Sequence, residues 1–242
     1  LKAKYTEFST YSFVVNNPIV LLDANGKEVF ITGVDAGKAF SELQRVTSLT
    51  LAMDPLTNQI IITGRPSGIL SPKDQQLWNA IGDVKVKVNL ETTRKDNFID
   101  KSGQRIDMVI GGNDGSTVTT ETTNRTVKVI DGEPIELEDG NLYYEYSYST
   151  EIVTSTIVNT RQIINMNHSA ATESVGISSQ GVDVLHEILE SYIGGEKAPG
   201  ANGETSYKMA HKVAADLDPD CRPINTRFNE RTRIVEAWGT NS

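Results

Sequence analysis

The sequence predicts an α+β fold, an antiparallel sheet joined to a pair of helices in the carboxy-terminal part of the chain. Three observations point there. A stretch from Arg105 to Asn167 is rich in Val, Ile, Thr and Tyr and is punctuated by turn residues. Two helical blocks, at about 181–193 and about 203–216, follow it and are separated by the glycine-rich GGEKAPGANGE. Before it, short strand patterns alternate with single helices.

Taken in order, Tyr11 to Gly33 (YSFVVNNPIVLLDANGKEVFITG) has strand-like apolar runs broken by Asn-Asn-Pro and Ala-Asn-Gly, both turn signals. From Asp35, apolar residues at Ala39, Phe40, Leu43 and Val46 have helical spacing, with Asp35 as the candidate N-cap. LTLAMDPLTNQIIITG reads as a hairpin around Asp54 to Asn58. Ser71-Pro72 then opens a helix, a cap followed by the proline that a first helical position tolerates. DVKVKVNLETT alternates strictly, with Val84, Val86, Val88 and Leu90 on one side, which makes a half-buried strand. Between Arg105 and Asn167 several antiparallel strands are expected, with Gly111 to Gly115 and Glu138 to Asn141 as turns. The threonine-rich GSTVTTETTNRTVKVI belongs to an ordered sheet edge or long hairpin. NMNHSAATESVGISSQG reads as a loop, and RPINTRFNERTRIVEAWGTNS as a closing strand or hairpin.

Composition narrows the function. The chain has 242 residues and 38% apolar content, enough for a real core. Its 32 acidic residues outnumber 23 basic ones, and the resulting charge of −9 repels a phosphate backbone, so nucleic acid is not expected as a partner. Cys221 is the single cysteine, which rules out an internal disulfide framework or a cysteine-based zinc ribbon. No apolar run approaches the roughly eighteen residues that span a bilayer. LKAKYTEFST lacks the apolar block of a secretory signal, and the start at Leu1 reads as that of a fragment or processed product.

The chemistry concentrates in VLHEILESYIGG, Val184 to Gly195. On a helix His186 and Glu190, at i and i+4, project to the same side and reach a shared point. Catalytic zinc takes three protein groups, of which two histidines and a glutamate are one set, and keeps a fourth position for water. The chain has three histidines, and His211 lies on the next helix, across a connector long enough to reverse direction. The expected zinc ligands are therefore His186, Glu190 and His211. Glu187 takes the place of the general base in the His-Glu-x-x-His helix motif, although here Glu190 stands where that motif has its second histidine.

Other candidates carry less. His168 in INMNHSA is an alternative third ligand or an outer partner, or is satisfied by backbone. Asp216 and Asp218 are candidates to orient His211 through its other ring nitrogen. GGNDGS lacks the Lys-Ser/Thr of a phosphate loop, and no Gly-x-Ser-x-Gly elbow is present. A plain alternative stays open: Glu187 and Glu190 lie on a solvated face, and His186 caps or packs against Tyr192 or Tyr207.

The amino terminus carries a resemblance. YTEFSTYSFVVNNPIVLLDANGKEV, Tyr5 to Val29, resembles the end of the core of rearrangement-hotspot (Rhs) repeat proteins, with Tyr11, Asn16, Asn17, Pro18, Asp23 and Gly26 matching. Ala24 and Phe13 depart from the usual proline and tyrosine. Further on, Leu185, His186, Glu187, Glu190, Tyr192, Gly194, Tyr207, Ala210 and His211 are similar to the pattern of a group of Rhs-associated carboxy-terminal domains. The resemblance implies residues 1–33 as the tail of an Rhs core and 34–242 as a toxin domain with a metallopeptidase-like helical pair. It also implies secretion or delivery into a target cell by the parent Rhs shell or a secretion apparatus, a protein or peptide substrate there, and a cognate immunity protein. The expected activity is that of a zinc-dependent hydrolase of metallopeptidase type. The alternative is a non-enzymatic effector whose acidic helix engages a partner protein.

Overall fold

The computed structural model describes residues 28–64, 68–108, 110–136, 142–218, 224–229 and 234–239. The Asn-Asn-Pro and Ala-Asn-Gly breaks, Glu138 to Asn141 and Cys221 lie outside them. The chain is α+β, with a main sheet of four strands: β1 (Val29–Gly33), β4 (Val86–Thr93), β8 (Leu142–Asn165) and β7 (Gly111–Glu136), in the order β1-β4-β8-β7. β1 and β4 run parallel, with Val29 opposite Val88 and Gly33 opposite Thr92. β4 and β8 are also parallel, from Val86 opposite Val158 to Thr93 opposite Asn165.

The main sheet is thus mixed, where the sequence led to an antiparallel expectation. The reason is physical: strict alternation shows that one face is buried and is blind to the direction of the neighbouring strand. Parallel neighbours need a crossover. Between β1 and β4 it is supplied by helix α1 (Ala36–Val46), the antiparallel pair β2 (Leu51–Met53) and β3 (Ile60–Ile62), and helix α2 (Pro72–Gly82).

Several local expectations hold. In β4, Val86, Val88 and Leu90 are buried and alternate with half-buried Lys87, Asn89 and Glu91, while Val84 lies outside the strand and is exposed. The β2–β3 turn is tied by Asp54, whose Oδ1 accepts from the backbone N–H groups of Leu56 and Thr57 at 2.8 and 2.9 Å. Ser71 caps α2, its Oγ accepting from Asp74 N at 3.2 Å, with Pro72 in the first turn. Asp35 precedes α1 without a side-chain cap bond. Its carboxylate instead receives Arg94 at 2.6 and 2.9 Å, a bidentate pair.

Two short strands, β5 (Asn97–Ile99) and β6 (Arg105–Asp107), form an antiparallel pair before β7. The segment read as a loop begins with a helix, α3 (Met166–Ser174). Asn165 caps it by accepting from the N–H groups of Asn167 and His168. Its buried residues are Met166, Ser169 and Thr172, so two of the three inward positions are polar and the apolar periodicity is faint. Helices α4 (Gln180–Lys197) and α5 (Gly203–Leu217) follow, and strands β9 (Ile224–Asn229) and β10 (Ile234–Gly239) pair antiparallel as the tail pattern suggested.

The centre of the fold is α4. Every residue from Gln180 to Gly195 is buried, and the helix packs against α1, α2, α3, α5 and β4. Val184, Leu185, Ile188 and Leu189 join Val88 and Leu90 of β4 and Leu43 of α1 in one core. Burial of each of these large aliphatic side chains contributes roughly 2 kcal/mol. Among the described residues no helix is long and apolar enough to cross a membrane.

Residues 119–157 make a second compact unit from portions of β7 and β8. In it Leu142, Tyr143, Tyr148 and Ile152 are exposed.

Candidate metal centre

An all-round buried helix normally carries apolar side chains on every face. Helix α4 also buries Asp183, His186, Glu187, Glu190 and Ser191, with Glu190 fully inaccessible. The solvated-face reading of Glu187 and Glu190 therefore fails, and each buried ionisable group needs a partner.

The partners of His186 and Glu190 are each other and His211. The Nε2 of His186 lies 3.0 Å from the Nδ1 of His211, and Glu190 Oε2 lies 3.3 Å from the first and 2.8 Å from the second. The imidazole rings meet edge-on, at 82° between planes. Two ring nitrogens and one carboxylate oxygen, contributed by two helices, converge on one small volume, and the group could hold a metal ion. The donor chemistry fits: two neutral imidazoles and a carboxylate are a borderline-metal set, and one coordinating atom comes from each residue. The side chain of His211 is 46% exposed while those of His186 and Glu190 are 7% and 1%, so the cluster meets solvent on the α5 side. All three expected ligands are thus brought together.

Glu187 points toward the sheet. Gln162 of β8, itself buried, donates its amide Nε2 to Glu187 Oε2 and, at 3.4 Å, to Glu190 Oε1. Gly111, the first residue of β7, faces the Glu187 carboxyl so closely that a Cβ there would collide with all three carboxyl atoms. Burial, and then the charge of Glu190, raise the Glu187 carboxyl to about 8. Burial also acts to raise Glu190, but hydrogen bonds from His186 and His211 outweigh it, and that carboxyl is held below its ordinary value. One helix thus carries a carboxyl that keeps its proton near neutrality and a carboxylate that stays charged.

Asp183 is one turn before His186. It accepts from Ser178 Oγ at 2.5 Å, Ser169 Oγ at 2.6 Å and, more weakly, Thr172 Oγ1 at 3.4 Å, yet burial still raises its carboxyl. Among the described residues neither Asp183, Glu187 nor Glu190 forms an ion pair with Lys or Arg. The negative side of α4 is left to imidazoles, hydroxyls and amides, a setting that could accommodate a cation.

The remaining candidates lie elsewhere. His168 pairs with Asp96 at 3.1 Å, Asp216 with Lys212 at 2.7 Å, and Asp218 with Lys73 at 3.1 Å. Gln162 and Gly111 carry no local sequence signal, because their relevance comes from cross-strand placement beneath α4. The turn expected at Gly111 to Gly115 is the start of β7 instead. Comparison of the chain with protein-family models, with curated proteins and with solved structures found no match to any of them.

Proposed function

We propose that this chain is a zinc-dependent hydrolase of metallopeptidase type, acting as the toxin domain of an Rhs-associated polymorphic toxin. One observation carries the enzymatic part: His186 Nε2, His211 Nδ1 and Glu190 Oε2 converge within 2.8–3.3 Å of one another beside the buried carboxyl of Glu187. Zinc held by those three groups would polarise a scissile carbonyl and acidify a water.

The chain's own residues supply the rest. Glu187 accepts the proton of the attacking water at its carboxylate and returns it to the departing amine, so peptide bond and water become carboxylic acid and amine. A carboxyl raised to about 8 in the metal-free protein is a strong base for a glutamate, and a dication nearby would shift it down toward the ionised form it needs. Gln162 orients it from beneath, and its bond to Glu190 Oε1 leaves Oε2 turned to the histidines. The toxin part rests on the Tyr11, Asn16, Asn17 and Pro18 pattern and on the Leu185 to Gly194 and Tyr207 to His211 patterns. With it come delivery by a parent Rhs shell or secretion apparatus, a protein or peptide substrate in the target cell, and an immunity protein.

The rival proposal, an acidic helix that engages a partner protein, is disfavoured by the burial of Glu187 and Glu190. The deciding experiment is elemental analysis of purified wild type beside His186→Ala, with circular dichroism on both. Near-stoichiometric zinc that disappears in the variant is expected; a folded, metal-free wild type after zinc loading would refute the hydrolase.

A further inference from the structure

The connector from α4 to α5 is glycine-rich, yet it is fastened to the start of β7. Ser116 N donates to Ala201 O at 3.0 Å, and Gly200 N donates back to Ser116 Oγ at 2.8 Å. Lys101, in the β5–β6 turn, binds both partners at once: its Nζ donates to Ser116 O at 2.8 Å and to Ala201 O at 3.1 Å. The lysine is itself held in place, since its backbone N–H donates to Asp114 Oδ1 at 2.7 Å and Asp114 Oδ2 receives Arg161 Nη1 at 2.8 Å. Gly203, the first residue of α5, lies so close to β7 that a Cβ would collide with the carbonyl oxygen of Asn113.

This fastening matters because it fixes the amino-terminal end of α5, whose other anchors are its packing on α4 and the Asp218–Lys73 pair just past its far end. Among its described side chains the fully buried ones are Ala210 and Ala214, whose methyls bury small areas, while Met209 and Val213 are exposed. His211 follows Gly203 by about two helical turns, so a shift at the connector is carried rigidly to the ring. Metal–ligand distances tolerate only about ±0.2 Å.

We propose that Lys101 is a positioning residue for the metal centre: by clamping the 198–203 connector to β7 it sets the place of α5 and so delivers His211 to His186 and Glu190. The proposal rests on the metal-site reading above. It assigns a role to a lysine more than a hundred residues from the third ligand, with no contact to any of the three.

The test is zinc affinity of the full chain, by competition against a chromophoric chelator, together with the absorption spectrum of the cobalt-substituted protein. Lys101→Met should weaken zinc about tenfold or more, with an unchanged far-ultraviolet dichroism spectrum and a cobalt spectrum shifted toward that of His211→Ala. Lys101→Arg, which keeps two donors for the two carbonyls, should restore most of the affinity. His211→Ala leaves His186 and Glu190 for a weaker, still measurable affinity, and in that background Lys101→Met should have no further effect. Wild-type affinity in Lys101→Met, or an equal drop with and without His211, would overturn the proposal. A wild type that binds no zinc fails the metal centre itself and takes this proposal with it. Should Lys101→Met not fold, Ser116→Ala, which removes the bond from Gly200, takes its place in the same cycle: a drop in affinity that needs His211 supports the clamp, and wild-type affinity or a drop independent of His211 overturns it.

Discussion

Glu187 and Glu190 stand three residues apart on α4 and share one donor, the amide of Gln162, yet their carboxyls are driven in opposite directions. Glu190 faces two imidazoles and stays charged; Glu187 faces an amide and a glycine and is pushed up by burial and by Glu190. Proximity of two like charges is avoided by giving one of them a proton.

That arrangement sets a pH dependence. Between the unfolded value of 4.5 and the folded value of about 8, native Glu187 holds a proton that the unfolded chain has released. Its contribution is fully present below 4.5 and is lost as pH rises through about 8. Denaturant titrations of metal-free protein should show Glu187→Gln gaining on wild type as pH rises over that window, by on the order of a few kcal/mol at the upper end. A pH-independent difference would show that Glu187 is ionised in the native state.

Glu187→Gln also separates chemistry from binding. The amide cannot take a proton from water, but it leaves His186, Glu190 and His211 in place. Hydrolysis, read as toxicity on expression in a sensitive cell, should fall by at least the roughly 10²–10⁴-fold of a lost acid–base group, with zinc content unchanged. A fully toxic variant would remove Glu187 from the mechanism.

The two histidines should differ in what their loss costs. His211→Ala removes a half-exposed ring, so zinc affinity should drop by more than the roughly 10–100-fold typical of outer partners while the fold survives. His186→Ala empties a buried position in α4, so a stability loss of about 1–3 kcal/mol should accompany the lost metal. Thermal melts of the metal-free forms distinguish them: His186→Ala should melt at the lower temperature of the two.

Gly111→Ala tests the floor of the site. The added methyl meets the Glu187 carboxyl, and relieving that overlap by moving either β7 or the side chain should cost about 1–3 kcal/mol. Activity should fall further than stability accounts for if the carboxyl that moves is the proposed base. Unchanged turnover would mean that the Glu187 position is not critical.

Much of this is legible in the chain. His186, Glu190 and His211 stand out because helical spacing makes i and i+4 neighbours, and because a reversing connector can lay one helix on another. Val182, Leu185, Leu189, Tyr192 and Ile193 around the acidic residues also signal that the carboxylates are partly buried, whereas the burial of every residue from Gln180 to Gly195 is not legible, because Asp183, Glu187 and Glu190 interrupt the apolar pattern. Nor is the parallel pairing of β1, β4 and β8, since strand direction is decided by crossovers and leaves no mark on local alternation. The helix α3 escapes a reading by periodicity because Ser169 and Thr172 occupy inward positions that apolar residues would have filled.

The order of the elements has a consequence for biosynthesis. β4 finds its neighbour β8 only after some seventy further residues have been made, and the three converging side chains lie on α4 and α5, later still. At roughly 5–20 residues per second, a ribosome-bound chain passes through several seconds in which the amino-terminal helices exist and the metal centre cannot. A nascent chain interrupted anywhere before residue 211 lacks one of the three converging side chains, so the cluster is complete only once translation has passed α5.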